Sequence, residues 1–360
     1  MTDHAWFHSI NPVILHLWGS FSVRWYGLSY LAGFVLGFLI LRTLARRRLT
    51  PLPADRALDA LMLLVFGVVL GGRLGYVLVY RRELLWSFDH HLPYWGALKI
   101  HEGGMASHGG MVGVVVAAYL ISRGFRQPDG LRTGRAPFLH ALDLTAFIAP
   151  PGLLLGRLAN FINGELLGKI VAQPGQPAPW WSVRFPQELT SKHAPPLTDP
   201  QSDALADLIA THQRAGQPAA EALDAILARA ARAARGDHAI IEQLRPLVSA
   251  RHPSQLYQAF AEGVVLFAVL ALLWLTPRRP GTLAAAFLIT YGIGRILTEF
   301  WRLPDAHLAQ QTIAGLSRGQ WLSAAMILAG LALIPVIRRQ NLPAMGGLLR
   351  PAPLPADPSR

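Results

Sequence analysis

Seven stretches of this chain are apolar over roughly the 20 residues that a helix needs to cross a bilayer. They are 23–44, 58–80, 105–122, 141–162, 257–276, 282–301 and 321–337. Inside a bilayer no water can satisfy the backbone, so each such segment must bond its peptide groups internally, as a helix does. The predicted fold is an all-α membrane protein with seven transmembrane helices. Composition agrees, with 52% hydrophobic and 15% charged residues, where soluble domains carry roughly 25% charged. The third stretch holds His108 near its start, and the fourth contains Pro150 and Pro151, which neighbouring helices or polar side chains can accommodate.

Orientation follows from the short loops. Arg42, Arg46, Arg47 and Arg48 follow the first span, and Arg123, Arg126, Arg132 and Arg135 the third. Arg278 and Arg279 follow the fifth, and Arg338 and Arg339 the seventh. With one crossing per segment all four groups share a side, which the positive-inside rule makes the cytoplasm. The N-terminus is then extracytoplasmic and the C-terminus cytoplasmic, in a multi-pass protein of the bacterial inner membrane. Arg81 and Arg82 fall on the outer side, against the rule. The residues from Met1 to Gly19 lack the basic-then-apolar order of a cleavable signal peptide, so the first span is expected to act as the insertion signal.

The net charge is +12, and of the 33 basic residues only Lys99, Lys169 and Lys192 are lysine. In a soluble protein this excess would raise nucleic acid as a partner. Here the bases gather between apolar spans, and no nucleic acid is expected. There is no cysteine, which excludes disulfides and an enzyme thiolate. The histidines are dispersed without metal-ligand spacing, so neither metal nor cofactor is expected.

The four domains predicted are helices 1–4 over 1–168, an extracytoplasmic head inserted between helices 4 and 5 over 169–250, helices 5–7 over 251–340, and a disordered cytoplasmic tail over 341–360. The first half of the head is proline-rich and reads as irregular or short-stranded. The second half, 203–247, is alanine-rich with Leu223, Ile226, Leu227 and Ala230 at helical spacing. It predicts two or three amphipathic helices that pack as a small head or lie on the membrane.

Four polar clusters fall at membrane depth, where ionisable groups are expensive and mark sites or paired networks. GRLANFINGELLG, from Gly156 to Gly168, ends an apolar run with Arg157, Asn160, Asn163 and Glu165. Tyr291, Arg295, Glu299 and Arg302, spaced i, i+4, i+8, i+11, form one stripe on a helix. Pairing of Arg295 with Glu299 would be purely structural and would leave Arg302 and Arg157 unexplained. Trp25-Tyr26-Gly27 is either an aromatic belt or part of a site. The segment His101-Glu102-Gly103-Gly104-Met105-Ala106-Ser107-His108-Gly109-Gly110 sets glycine pairs around a histidine. Glycines permit close helix contact, and histidine suits proton transfer near neutrality, although a membrane histidine is often only a hydrogen-bonded structural group. Arg251-His252-Pro253-Ser254-Gln255-Leu256-Tyr257 adds polar groups on the same outer side. Several arginines facing one cavity repel unless an anion joins them, and the guanidinium fork suits phosphate. At that depth the available phosphate belongs to membrane lipids.

At these residues the sequence resembles the bacterial prolipoprotein diacylglyceryl transferase family. GRLANFINGELLG, HGGM at His108, RHPSQLY at Arg251, WYG at Trp25 and the stripe ending in FWRLPDA carry the resemblance, which covers all seven spans in the family's order. Glu102 stands where aspartate is expected, and the alanine-rich part of 169–250 is an extra insertion. The resemblance implies transfer of diacylglyceryl from phosphatidylglycerol to the lipobox cysteine of a prolipoprotein, just after its signal peptide, with release of glycerol phosphate. It implies that Arg157 and Arg295 meet the leaving phosphate and that His108 takes the thiol proton, with a substrate-assisted route left open. Tyr26, Asn160, Glu165, Gly168, Tyr291, Glu299 and Arg302 would bind substrate: Tyr26, Asn160 and Glu165 place the head group, Gly168 permits a tight turn and Glu299 orients Arg295.

A transporter also carries polar residues at membrane depth, yet it usually shows an internal repeat, and none is found. A structural scaffold would explain the hydrophobicity but not the buried arginines.

Overall fold

The computed structural model describes residues 3–18, 21–90, 93–99, 103–232, 238–303, 312–313 and 315–353. His101, Glu102, Pro304, Asp305 and the tail beyond 353 lie outside the described residues. In chain order the elements are β1 (Trp6–Phe7), β2 (Val13–Trp18), β3 (Phe21–Arg24), α1 (Trp25–Arg46), α2 (Ala57–Tyr80), α3 (Ser107–Ser122), β4 (Phe125–Arg126), β5 (Arg132–Thr133), α4 (Phe138–Asn163), β6 (Ile170–Ala172) and β7 (Val183–Arg184). Then follow α5 (Asp199–His212), α6 (Ala219–Arg232), α7 (His238–Leu244), β8 (Ala250–Arg251), α8 (Ser254–Gln258), α9 (Leu266–Leu273), α10 (Thr282–Glu299), β9 (Thr312–Ile313), β10 (Leu316–Ser317) and α11 (Arg318–Arg339). A π-helical turn, Ala259–Val265, joins α8 to α9.

The molecule is mostly helical. Among the described residues five helices are long and apolar enough to cross a membrane: Trp25–Arg46, Ala54–Tyr80, Phe138–Asn163, Ser254–Leu273 and Arg318–Arg339. The other two predicted spans are shorter or less apolar. Gly103 and Gly104 adopt left-handed backbone (φ 83° and 78°), so α3 starts at Ser107 with 16 residues, about 24 Å at 1.5 Å per residue. The 18 residues of α10 hold Arg295 and Glu299 in their last two turns, which lowers its hydropathy. Pro150 and Pro151 lie inside a continuous α4.

The chain divides into two compact units. The first comprises Met1–Gly33, Gly152–Val265 and Tyr291–Met326. Its head is built on a four-stranded sheet of order β1-β7-β8-β6, in which the N-terminal β1 pairs parallel to β7. The pairing joins the N-terminal residues to the segment predicted as a head over 169–250. Arg184, almost fully buried, ties the N-terminus in through Asp3 at 3.1 Å from both Nε and Nη2. Burial opposes a charge on Asp3, but the hydrogen bond and charge of Arg184 outweigh it and hold the carboxyl below its ordinary range. The alanine-rich segment forms α5, α6 and α7, and Ile226 and Ala230 of α6 pack on Phe7, Leu208, Ile240, Ile241 and Leu244. Burying a side chain such as Ile226 or Leu244 contributes about 1.5–3 kcal/mol each. Before α1, β2 and β3 form an antiparallel hairpin with Ile14, Leu15 and Leu17 exposed.

The second unit comprises Phe34–Pro151, Leu266–Thr290 and Ile327–Arg360. Gly67, Gly71 and Gly75 of α2 meet Gly109 and Gly113 of α3, and a Cβ on Gly113 would collide with the Gly67 carbonyl. Small residues four apart allow this backbone approach between membrane helices. Arg73, buried on α2, donates to the carbonyls of Gly96 (2.7 Å), Ala97 (2.7 Å) and Gly103 (2.6 Å), organising the loop that leads to α3. Asp143 of α4 accepts from the backbone N–H of Gly281 (2.7 Å) and Ala284 (2.8 Å), capping α10 as helix N-termini require. Residues 341–353, expected to be disordered, make backbone pairings within this unit. Met345 and Arg278 pair antiparallel, and Leu348 and Leu349 donate to the carbonyls of Trp274 (2.8 Å) and Leu275 (3.0 Å).

Candidate active site

Nine of the ten residues singled out from the sequence fall in the first unit. The turn that ends GRLANFINGELLG is forced into shape by its backbone. Gly164 and Leu166 both have positive φ (67° and 55°), costly for a leucine, so neighbouring groups must hold the loop. They come from the RHPSQ segment: Gln255 Nε2 donates to the Glu165 carbonyl, Ser254 Oγ to Leu166 O (3.0 Å), and Arg251 Nη1 to Gly168 O (2.9 Å). Gly168 pairs with Arg302 in an antiparallel bridge, and a Cβ on it would strike the His252 carbonyl. That close approach is why glycine stands there.

Arg157, on the last turns of α4, faces a carboxylate that no sequence motif had singled out. Glu262, fully buried in the π-helical turn, accepts from Arg157 Nε at 3.0 Å and lies 2.9 Å from Nη2. The Tyr291 phenol hydrogen-bonds to Arg157 and lies within electrostatic reach of Arg295. One turn further along α10, Glu299 Oε2 is 3.1 Å from Arg295 and 3.7 Å from Arg302. Ser317 Oγ donates to its other oxygen at 3.1 Å. The stripe predicted on α10 is thus one network, continuous with GRLANFINGELLG through Tyr291.

The expectation that unpaired arginines demand an anion is modified. Glu262 answers Arg157, and Glu299 answers both Arg295 and Arg302. Three guanidiniums against two carboxylates still leave one positive charge among these five side chains.

Tyr26, at the start of α1, lies within electrostatic reach of Glu165 and Arg157 and bonds Tyr30 through its hydroxyl (3.2 Å). Glu165 is exposed and accepts from Asn163 Nδ2 at 3.3 Å. Asn160 is buried, and its carbonyl receives the Glu165 N–H at 3.0 Å. His108 belongs to the second unit, in the first turn of α3 with its ring 5.9 Å from Tyr80. Among the described residues no group of three or more histidines, aspartates or glutamates has a metal-holding arrangement.

Beside the loop, Trp181, His252, Tyr257 and Trp301 line an aromatic cavity of about 390 Å³. Burial and the Lys169 charge push the His252 imidazole below its ordinary range. Sequence reasoning missed Glu262, Gln258 and Arg73. All three are polar groups inside apolar helices, which is the signal that could have found them.

Comparison with known proteins adds a family. A family model described as prolipoprotein diacylglyceryl transferase matches residues 12–336. Three curated relatives bear the name phosphatidylglycerol–prolipoprotein diacylglyceryl transferase. That of Bdellovibrio bacteriovorus is 38% identical over 349 residues, covering 92% of this chain and 94% of the relative. That of Ralstonia pickettii is 40% identical over 330 residues, covering 90% and 92%. That of Rhodospirillum rubrum is 36% identical over 345 residues, covering 95% and 97%.

Proposed function

The chain belongs to the prolipoprotein diacylglyceryl transferase family, and from that premise we propose that it transfers diacylglyceryl from phosphatidylglycerol to the lipobox cysteine of a prolipoprotein. It is a transferase and a multi-pass membrane protein. The observation that carries the residue assignments is the continuous network Arg157–Glu262, Tyr291 and Arg295–Glu299–Arg302.

In the proposed reaction the substrate thiolate attacks the glyceryl carbon of the lipid. A carbon–sulfur bond forms and a carbon–oxygen bond breaks. The electron pair leaves with glycerol phosphate, and the thiol proton passes to a base. A thiolate is required because the thiol itself is a poor nucleophile, and His108 is assigned as that base. Arg157 and Arg295 meet charge on the departing phosphate, and preorganised donors of this kind stabilise a developing anion. Glu262 and Glu299 hold the two guanidiniums in place. Tyr26, Asn160, Glu165 and Arg302 position the head group, and Gly168 lets the backbone turn beside it.

The same reading counts α3 and α10 as spans, giving seven. The head and N-terminus then face outward and the C-terminus the cytoplasm, in the inner membrane, with the precursor's signal peptide approaching within the bilayer.

The test uses purified protein in detergent, phosphatidylglycerol and a short lipobox peptide with one cysteine. Mass spectrometry should find the peptide heavier by a diacylglyceryl group, with glycerol phosphate released in step. Arg157→Lys and Arg295→Lys keep the charge but lose the fork, and each should slow transfer by roughly 10²- to 10³-fold, the scale for losing one oxyanion donor. Folded wild-type protein that gives neither product would overturn the reaction. An unchanged rate in His108→Ala, at a pH where thiols are protonated, would remove the base assignment.

A further inference from the structure

Gln255, Gln258 and Glu262 recur at i, i+3, i+7, so they share one face where α8 runs into the π-helical turn. All three are fully buried. π-Helical turns inside α-helices recur at functional sites. Gln255 uses its amide nitrogen on the Glu165 carbonyl, and Glu262 uses Oε2 on Arg157. What remains is Gln255 Oε1, both polar atoms of Gln258 and Glu262 Oε1, each buried without a hydrogen-bond partner among the described residues.

A buried polar atom without a partner loses its hydration and gains nothing in return, so native interiors hold few of them. Four such atoms on these three side chains make a polar patch that the packed chain itself leaves unanswered. Its chemistry is specific, because the Gln258 amide nitrogen donates while three oxygens accept. A hydroxyl group both donates and accepts, an ammonium only donates, and an alkyl chain does neither. The site is joined through Glu262 to Arg157, the residue assigned to the lipid phosphate. The alcohol esterified to that phosphate is what would reach it.

We propose that Gln258, with Gln255 and Glu262, selects phospholipids whose head groups carry free hydroxyls, by hydrogen bonding the terminal glycerol of the donor lipid. This rests on the proposed transferase reaction and deepens it. The recognised glycerol leaves with the phosphate, so its hydrogen bonds act on the leaving group.

The experiment compares phosphatidylglycerol with phosphatidylethanol, a diester of the same charge without head-group hydroxyls, using purified full-length enzyme and one lipobox peptide. Wild type should prefer phosphatidylglycerol by at least roughly 100-fold in kcat/KM, since a site built to bond a hydroxyl rejects the analogue that lacks it. Gln258→Met, close in size and apolar, should bring that ratio to within about threefold of one. A general packing defect would slow both lipids alike and leave the ratio standing. Independently of any variant, glycerol phosphate should inhibit wild type at least about tenfold more tightly than ethyl phosphate. A wild-type ratio near one, a ratio unchanged in Gln258→Met, or equal inhibition by the two phosphates would overturn the inference while leaving the reaction intact. Absence of product from phosphatidylglycerol would overturn both.

Discussion

Replacing Glu188 by glutamine should loosen the head and the active-site loop together, although Glu188 belongs to neither end of the arginine network. Glu188 and Arg251 are both fully buried. The carboxylate accepts from Arg251 Nε, from Ser249 N–H at 3.1 Å and from Ser249 Oγ at 2.5 Å. The guanidinium also donates to the carbonyls of Gly168 (2.9 Å) and His193 (2.8 Å). Glu188→Gln keeps the shape and removes the charge, leaving a guanidinium buried without its counter-ion. Removing one partner of such a pair costs about 3–5 kcal/mol. Removing both, in Glu188→Met/Arg251→Met, abolishes the desolvation penalty but orphans the two Ser249 donors and the two carbonyls, at about 1–3 kcal/mol each. The double variant should therefore cost at least ~2 kcal/mol less than the sum of Glu188→Met and Arg251→Met made singly, since each single leaves one charge buried alone. Native-state hydrogen exchange over 183–193 and 249–252, read by mass spectrometry on detergent-solubilised protein, gives the opening free energies. A Glu188→Gln change below about 1 kcal/mol, or an additive double variant, would refute the reasoning.

The remaining expectations are independent of that pair. Burial pushes the imidazole of His8, packed against Phe161 and Phe185, down to about 4. Its neutral form is favoured in the fold, so its contribution is intact above the unfolded value near 6.5 and is lost as pH falls from there toward 4. At 1.36 kcal/mol per unit that is about 3 kcal/mol. His8→Phe should flatten the acid limb of head unfolding followed by tryptophan fluorescence, and an unchanged limb would exclude His8 as its cause. Gly113→Val should force α2 and α3 apart, because the Gly67 carbonyl occupies the space of its side chain. Lower thermal stability and faster proteolysis of the loop around 96–104 are expected, and wild-type behaviour would contradict the close packing. Truncation after Gln340 should lower the melting temperature by stripping the backbone bonds that 341–353 make to Trp274, Leu275 and Arg278.

What was legible in the sequence is what hydrophobic patterning and spacing encode. The apolar stretches became helices, and the Tyr291 to Arg302 stripe became one connected face because i, i+4 and i, i+3 spacing fixes it. Elements built from only two to six residues were not legible, since β1, β6, β7 and β8 carry too few residues for a period. The parallel pairing of Trp6 and Phe7 with β7 joins segments about 177 residues apart in register, Trp6 to Val183, and no local pattern announces such a pairing. Glu262 was hidden for another reason: a single carboxylate in an apolar helix shows that a partner exists but not which. Arg157 is 105 residues away, and only the folded chain names it. The left-handed Leu166 was likewise invisible, because leucine gives no turn signal.

The charge balance of the network bears on what happens after transfer. Three guanidiniums and two carboxylates leave one positive charge, which a phosphodiester with its single negative charge would neutralise. The leaving glycerol phosphate is a monoester whose second proton comes off near pH 6, so it carries nearly two negative charges at neutrality. Each added charge beside a partly buried guanidinium strengthens the attraction, by up to about 4 kcal/mol for a pair 4 Å apart at an effective dielectric of 20. Product should therefore bind more tightly than the head group it came from, and increasingly so as pH rises through 6. Inhibition by glycerol phosphate is expected to tighten by up to about fourfold between pH 5.5 and 7.5, as the doubly charged fraction rises from about a quarter to nearly all with a second pKa near 6. Its methyl ester, fixed at one negative charge, should show little change and so removes any titration of the protein itself. In Arg295→Gln the pH effect should shrink toward that of the ester. If glycerol phosphate and its methyl ester instead followed the same pH course in wild type, the arginine network would not be what holds the departing phosphate.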